Sequence, residues 1–495
     1  MKKFLLFVGF TSSVTAANAQ TATYKEQYRP QFHFSPAINW TNDPNGLVYY
    51  NGEYHIFYQH NPFENKWGHM TWGHATSKDL LHWQHLPVAI KEENGIMIFS
   101  GTSFVDKNNT SGFGKNGAVP MMAIYTGHTD KNQSQYLAYS FDKGHTWKKY
   151  AHNPILDLHK KDFRDPKVFW YAPKQYWVMA VVLPQEHKVQ FYRSKNLLQW
   201  ELLSEFGPAG DITGIWECPD LFQVPVANDP SKKKWMLTNS ISTAMQYFVG
   251  EFDGVTFTNE SPAGVVYRPD QGPDFYAGIT YNQLPGTQKP VMIGWANNWM
   301  YANDIPTTPW KSAMSLPREF TVKKEGAAWL LVQKPFESIK KLRDAVLVDE
   351  SVLVSDKKEY DTLGQQLEIE ADIQPSGGLS GVRVALGNGH YAEIGFDATT
   401  QKLYIDRSHG ANQSFNKNFE KLSHFETPLA IKGKHIKLHI FFDNSIVEVF
   451  ANDGEAVMTM QVFPNATDTN VELFSNSGSA TFSSVKIWRM KSAWE

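Results

Sequence analysis

The chain has 495 residues, too many for one core of ordinary size, so two packed units are expected. Its 47 basic and 50 acidic side chains nearly cancel, which argues against nucleic acid or an anionic membrane surface as a partner. The single cysteine, Cys218, excludes an intrachain disulfide, and an aromatic content of 14% suits many short strands or a surface that stacks on sugar rings.

The first element is a targeting segment rather than a structural one. Lys2 and Lys3 precede the apolar run Phe4 to Phe10, and Ala17-Asn18-Ala19 has the small-x-small form of a signal-peptidase site. Residues 1–19 therefore read as a cleaved signal peptide, and the mature chain is expected in the periplasm or outside the cell. No later stretch has about 20 uninterrupted apolar residues, so no stable membrane insertion is expected.

From residue 30 to about 325, short apolar and aromatic runs alternate with Gly, Asn, Asp and Pro, and no amphipathic stretch of helical length interrupts them. That pattern predicts an all-β unit. A repeat gives it shape. Ser77 to Trp83 is echoed by Ser140 to Trp147 and by Ser194 to Trp200, each a Ser, a polar turn and a Trp; Glu251 to Phe257 is a decayed fourth copy. Recurrence at this period predicts propeller blades, and about 295 residues at roughly 55 to 65 each make five. Pro335 to Arg343 reads as a short helix inside a linker, 326–344. Beyond it, alternating stretches such as Glu368 to Ile373 and Ile436 to Ile440, with a hairpin turn at Asn452-Asp453-Gly454, predict a β-sandwich over 345–495. The expected fold is thus all-β, a five-bladed β-propeller followed by a C-terminal β-sandwich.

Polar clusters recur near the openings of the predicted blades: Asn42-Asp43, Phe99-Ser100-Gly101, Arg164-Asp165-Pro166, Trp216-Glu217-Cys218 and Asp274-Phe275-Tyr276. The first lies in what reads as a rigid polar turn, Trp40 to Gly46, at the mouth of a strand. A propeller brings equivalent positions of successive blades to one end of its channel, so Asp43, Asp165 and Glu217 would converge. Like charges in one pocket cannot all stay ionised cheaply, which makes one of them a general acid. Glu217, between Trp216 and Cys218, is the candidate acid, and Asp43, in a turn of amide donors, the candidate nucleophile. The histidines between His55 and His85 match no zinc spacing, so no metal centre is expected.

These motifs resemble glycoside hydrolase family 32, the β-fructofuranosidases, levanases and inulinases. The resemblance rests on Trp40-Thr41-Asn42-Asp43-Pro44-Asn45-Gly46, Arg164-Asp165-Pro166 and Glu217-Cys218, in that order, and runs from about Pro30 to the C-terminus. It implies Asp43 as nucleophile, Glu217 as acid/base and Asp165 as stabiliser of the transition state, oriented by Arg164. It further implies Asn42, Gln59, Trp67, Phe99, Ser100, Arg164 and Trp295 as substrate-binding residues, with Asp274 to Ala277 near the pocket rim. The implied activity is retaining hydrolysis that releases terminal fructose from fructans, levan or inulin, and from sucrose, with no metal or organic cofactor and no protein partner. Trp299 to Pro306 is similar to a rim segment of levanases and exo-inulinases, which favours exo cutting. Thr41 departs from the methionine common at its position and leaves the leaving-group preference open. Endo-levanase and invertase are the alternatives within the family, and a non-catalytic polysaccharide-binding protein is the alternative outside it.

Overall fold

The computed structural model describes residues 22–286 and 289–494; the expected signal peptide, 1–19, lies outside the described residues. The described chain is almost entirely β-sheet, with one short α-helix, Lys417–Lys421, and two 3-10 segments, Ala172–Lys174 and Glu337–Leu342.

Five strands each open an antiparallel group: β1 (Asn39–Tyr50), β2 (Met97–Val105), β3 (Arg164–Tyr171), β4 (Trp216–Val226) and β5 (Tyr276–Thr280). β1 continues through Glu53–Asn61, Thr71–Ser77 and Trp83–Ile90, and the groups opened by β2, β3 and β4 follow the same local up-and-down order. In the group of β5 the sequence is Val291–Trp295, Arg318–Glu325 and Ala328–Pro335, and one parallel pairing, Val226 with Val322, joins it to the group of β4. β1 lies against β2 and β5, β2 against β3, β3 against β4, and β4 against β5.

The Ser-to-Trp repeat is the turn between the third and fourth strands of a group. Ser77 Oγ accepts the amides of Asp79 and Leu80 while Asp79 accepts those of Leu81 and His82; Ser194 and Asn196 repeat the pattern. This is local Asx and Ser turn chemistry, which is why it is visible as sequence. Glu251 and Phe257 flank the equivalent turn of the fourth group, in Ala244–Phe252 and Phe257–Asn259.

Two expectations change. The stretch Trp40 to Gly46 is not a turn at a strand mouth but the first half of the 12-residue β1, which breaks register between Thr41 and Pro44 and again between Asn45 and Val48. The segment 326–344, expected as a linker with a helix, is largely sheet: Ala328–Pro335 pairs along the whole of Arg318–Glu325, one 3-10 stretch follows, and the next strand begins at Arg343. Phe320, Val322 and Leu331 from the two paired strands pack into one core.

The C-terminal residues form two six-stranded sheets that share one apolar core, with Ile369, Ile440 and Phe482 from one facing Val382, Ile394 and Leu473 from the other. Two of these strands, β6 (Ile446–Ala451) and β7 (Ala456–Gln461), meet the N-terminal part through buried charge. Asp443 accepts the backbone amides of Gln31, Phe32 and His33 at 2.6, 2.8 and 3.0 Å and pairs with His33 Nδ1 at 2.8 Å. His33 Nε2 lies 3.3 Å from Glu448, whose second oxygen takes the Arg318 guanidinium at 2.8 Å; Arg318 also donates to Asp270 at 2.9 Å.

This junction predicts a pH signature. Burial pushes His33 towards losing its proton, but Asp443 and Glu448 outweigh it and hold its pKa up to about 9 against an ordinary 6.5. A histidine raised on folding adds stability that is fully present below the unfolded value and is lost as pH climbs through the folded one. The shift is worth about 3 kcal/mol. Urea unfolding of the parent should therefore lose about that much between about pH 6 and about pH 10, and His33→Gln, less stable at the acid end, should lack that fall.

Candidate active site

Each of the five opening strands slips register at its polar cluster, and the slip leaves two residues outside the ladder. They are Asn42-Asp43 in β1, Phe99-Ser100 in β2, Asp165-Pro166 in β3, Cys218-Pro219 in β4 and Ala277-Gly278 in β5. Such bulges turn a side chain away from the face that the two-residue period would give it. Asp165, Cys218 and Ala277 take φ of 64°, 48° and 51°, the left-handed region that non-glycine residues rarely occupy. Pro166 and Pro219 fit there because an unpaired position needs no N–H.

The slips converge on a cavity of about 230 Å³ lined by Asn42, Asp43, Gln59, Trp67, Phe99, Ser100, Arg164, Asp165, Glu217 and Trp299. Nine of the ten residues expected at a site are in this lining. The tenth, Trp295, is fully buried behind it, packed on Trp299 with ring centroids 4.7 Å apart and on Trp40 at 6.1 Å. Trp299 supplies the aromatic wall instead. Trp295 sits in a strand core and Trp299 in the following loop, a difference that a tryptophan after Ile-Gly does not reveal.

Asp43 is held on both oxygens. Ser100 Oγ donates to Oδ2 at 2.6 Å and Asn42 Nδ2 to Oδ1 at 3.0 Å, while Trp40 Nε1 donates to Asn42 Oδ1 at 2.8 Å and so fixes which way that amide points. Burial raises the Asp43 pKa, the Ser100 bond pulls it down, and the charge of Glu217 raises it again. Asp165 is also raised, first by burial; Arg164 opposes this, and Glu217 and Asp43 reinforce it.

Arg164 makes no hydrogen bond to Asp165, the residue it is expected to orient. Its Nε and Nη2 fork onto Glu217 Oε1 at 3.1 and 3.0 Å, its Nη1 bonds Asp162 at 3.0 Å and Gln133 at 3.2 Å, and Asp165 is no nearer than 3.9 Å. The bulge turns the Asp165 side chain away from its neighbour, and the Cys218 amide takes over at 3.0 Å. Glu217, the most exposed of the three carboxylates at 21%, has its second oxygen bonded by the Tyr276 hydroxyl. Tyr276 and Cys218, which stand inside the clusters Asp274 to Tyr276 and Trp216 to Cys218, thus contact the carboxylates although neither was expected as a site residue.

Gln59 donates to the Ile98 carbonyl at 3.0 Å, which ties the second strand of the first group to β2 below the pocket. Trp67, 40% exposed, stands edge-on to Phe99, and Phe99 stacks on His128 at 4.2 Å. The mouth is therefore aromatic and the floor anionic, a combination suited to a sugar ring with hydroxyls below and an apolar face above.

These features define an all-β protein with three carboxylates gathered at the floor of an aromatic-rimmed pocket. Comparison with known proteins identifies the line of descent. The chain belongs to glycosyl hydrolase family 32: the family's N-terminal domain matches residues 33–335 and its C-terminal domain residues 338–489. A levanase of Bacillus subtilis (strain 168) is 43% identical over 98% of this chain and 73% of its own length. An extracellular exo-inulinase of Aspergillus awamori is 38% identical over 95% of this chain and 96% of its own. The crystal structure of exo-inulinase from Aspergillus awamori superposes with a TM-score of 0.91 at 36% identity, covering 95% of this chain and all of that one. A β-fructofuranosidase from Schwanniomyces occidentalis, complexed with fructosyl-erythritol, gives 0.84 at 31% over 95% of this chain and 98% of its own.

The environment of Cys218 makes a direct prediction. Its thiol lies 3.4 Å from Asp43 and 3.6 Å from Asp165, and burial, followed by those two charges and that of Glu217, pushes its pKa well above the ordinary value. A thiol kept protonated and buried is a poor nucleophile. Iodoacetamide should leave the native protein unlabelled over hours at pH 8 and label it in guanidinium within minutes; rapid native labelling would contradict this environment.

Proposed function

We propose that this protein is an exo-acting β-fructosidase that hydrolyses fructans, and sucrose, by a retaining mechanism and releases fructose. The observation that carries the reading is the convergence of Asp43, Asp165 and Glu217 from three of the five opening strands, β1, β3 and β4, on one small pocket. The named relatives support the substrate class, since levanases and exo-inulinases act on fructans.

In this mechanism Glu217 protonates the departing glycosidic oxygen while Asp43 attacks C2 of fructose, and the covalent intermediate is then opened by water with Glu217 as base. Glu217 suits the proton carrier. Its Oε1 is occupied by Arg164, and Oε2 meets a hydroxyl that can donate to the carboxylate or accept from the acid, so the proton can come and go without rearrangement. Asp43 suits the nucleophile because both of its oxygens are fixed before substrate arrives. Asp165 stabilises positive charge developing on the ring through bonds to fructose hydroxyls. The pocket is small and walled by Trp67, Phe99 and Trp299, which favours a chain end over an internal linkage.

The architecture proposed for this activity is a five-bladed propeller whose opening strands line the channel, supported by their contacts around the series from β1 to β5 and back to β1. In this reading the propeller extends to Pro335, and a β-sandwich begins near Arg343. The relatives described as extracellular support export of the mature chain, and among the described residues no helix is long and apolar enough to cross a membrane.

Products from levan, inulin and sucrose, followed by chromatography, test the reading: fructose alone from the earliest points is expected, and oligosaccharides preceding it would make the enzyme endo-acting. Asp43→Asn and Glu217→Gln should each lower kcat by about 10²- to 10⁴-fold; losses within a few fold would remove them from these roles. Ser100→Ala deletes a donor that favours the charged form of Asp43, so the acid limb of kcat/KM should move up by about one pH unit. A limb that stays in place would deny Asp43 the role of the base-form group.

A further inference from the structure

Arg407 follows the strand Lys402–Asp406 of the C-terminal sheets and is 1% exposed. From Nη1 it donates to Asp274 Oδ2 at 3.0 Å and to the Gln461 carbonyl at 2.9 Å; from Nη2 it donates to the Tyr301 hydroxyl oxygen at 3.1 Å and the Leu422 carbonyl at 2.8 Å. Its guanidinium lies over the Phe419 ring, 3.6 Å from the centroid. Asp274 is fully buried, and its other oxygen takes the Tyr301 hydroxyl proton.

Two walls of the pocket are rooted in this cluster. Asp274 stands two residues before Tyr276, whose hydroxyl bonds Glu217. Tyr301 stands two residues after Trp299. Asn298 donates to the Pro273 carbonyl at 2.8 Å and ties the two segments together, and Asn416 of the C-terminal part grips Asp304 at 2.6 Å. Adhesion between the two parts would not need this arrangement, because apolar packing does as well as a buried ion pair. A planar fork with each nitrogen on a different pocket segment supplies direction as well as attraction.

We infer that Arg407 is a positioning residue for the pocket: by holding Asp274 and Tyr301 it fixes Tyr276 against Glu217 and Trp299 at the rim. The inference rests on the fructosidase reading above. The C-terminal sheets then take part in building the reaction site, and their contribution reaches the proton carrier through two side chains.

A double-mutant cycle on the full chain, with sucrose as substrate, tests it. Arg407→Lys keeps the charge and loses the fork, and should lower kcat about tenfold in the parent but only about twofold when Tyr276→Phe is already present, because the effect travels through that hydroxyl. KM should rise about threefold in both backgrounds as Trp299 loosens. Equal fold losses of kcat in the two backgrounds would overturn the link to Tyr276, and an unchanged KM would overturn the link to Trp299. If the lysine variant does not fold, Tyr301→Phe, which deletes one hydroxyl, enters the same cycle with the same outcomes decisive. A parent that releases no fructose would overturn the fructosidase reading itself, whereas an active parent with additive losses would overturn the positioning role alone.

Discussion

The pocket depends on a repeated failure of strand pairing. Five strands run antiparallel to their neighbours over most of their length, and each slips by one residue at its polar cluster, leaving two residues unpaired. A perfect ladder would point alternate side chains into the two flanking cores, where a carboxylate would have no donors. The slip frees Asp43, Ser100 and Asp165 from that alternation and lets amides such as that of Cys218 turn towards them. The rest of each strand, apolar and paired, holds the slipped residues in place; Phe57 and Trp72 pack on the β1 side, and Val178 and Val182 lie in the core beside β3. Precision at the floor of the pocket is thus a property of ordinary sheet on either side of an irregularity.

Gathering three carboxylates below an aromatic rim sets the electrostatic problem the site must solve. One guanidinium, Arg164, serves Glu217 with two nitrogens, and Asp43 and Asp165 are left to neutral donors: hydroxyl, amide, thiol and backbone N–H. Neutral donors favour the charged forms without cancelling the charge, and such a floor can stabilise positive charge placed above it. Had Arg164 lain across Asp165 instead, the negative charge of that carboxylate would already be neutralised. The pull of burial on Asp43 and Asp165 towards the protonated form is the cost of that arrangement.

What the sequence discloses follows the range of the interactions. The Ser-to-Trp turns and the Asn452-Asp453-Gly454 hairpin are made by residues within a few positions of each other, and they are found where they are expected. Asp43, Asp165 and Glu217 are recognisable because their motifs are local and ordered. The partner of Arg164 is different in kind, since it depends on which way a bulge turns the chain, and the burial of Trp295 and the place of Trp299 in the pocket wall depend on where a strand ends and its loop begins. Ala328–Pro335 is a related case: its pairing with Arg318–Glu325 is local, but only Leu331 and Gln333 of its eight side chains are buried. Residues such as Asp443 and Glu448 were the least legible. In an alternating strand pattern they read as wet-face residues, and only the arrival of His33 and Arg318 from the other part of the chain makes their burial possible.

Buried polar pairs join the two parts of the chain. Asp270, Asp274 and Arg318 belong to the part that carries the pocket, and each is buried at 4% exposure or less against a partner from the other part: Thr459, Arg407 and Glu448. Deleting one member of such a buried pair while the rest stays packed strands the other, at about 3 to 5 kcal/mol each. An interface of apolar residues alone could be trimmed and resurfaced. A network in which Arg318 touches Asp270, Glu448 and Thr459 at once cannot be divided along any line that leaves both sides satisfied. The C-terminal sheets are therefore part of the physical definition of the pocket-bearing fold, whatever they contribute to substrate.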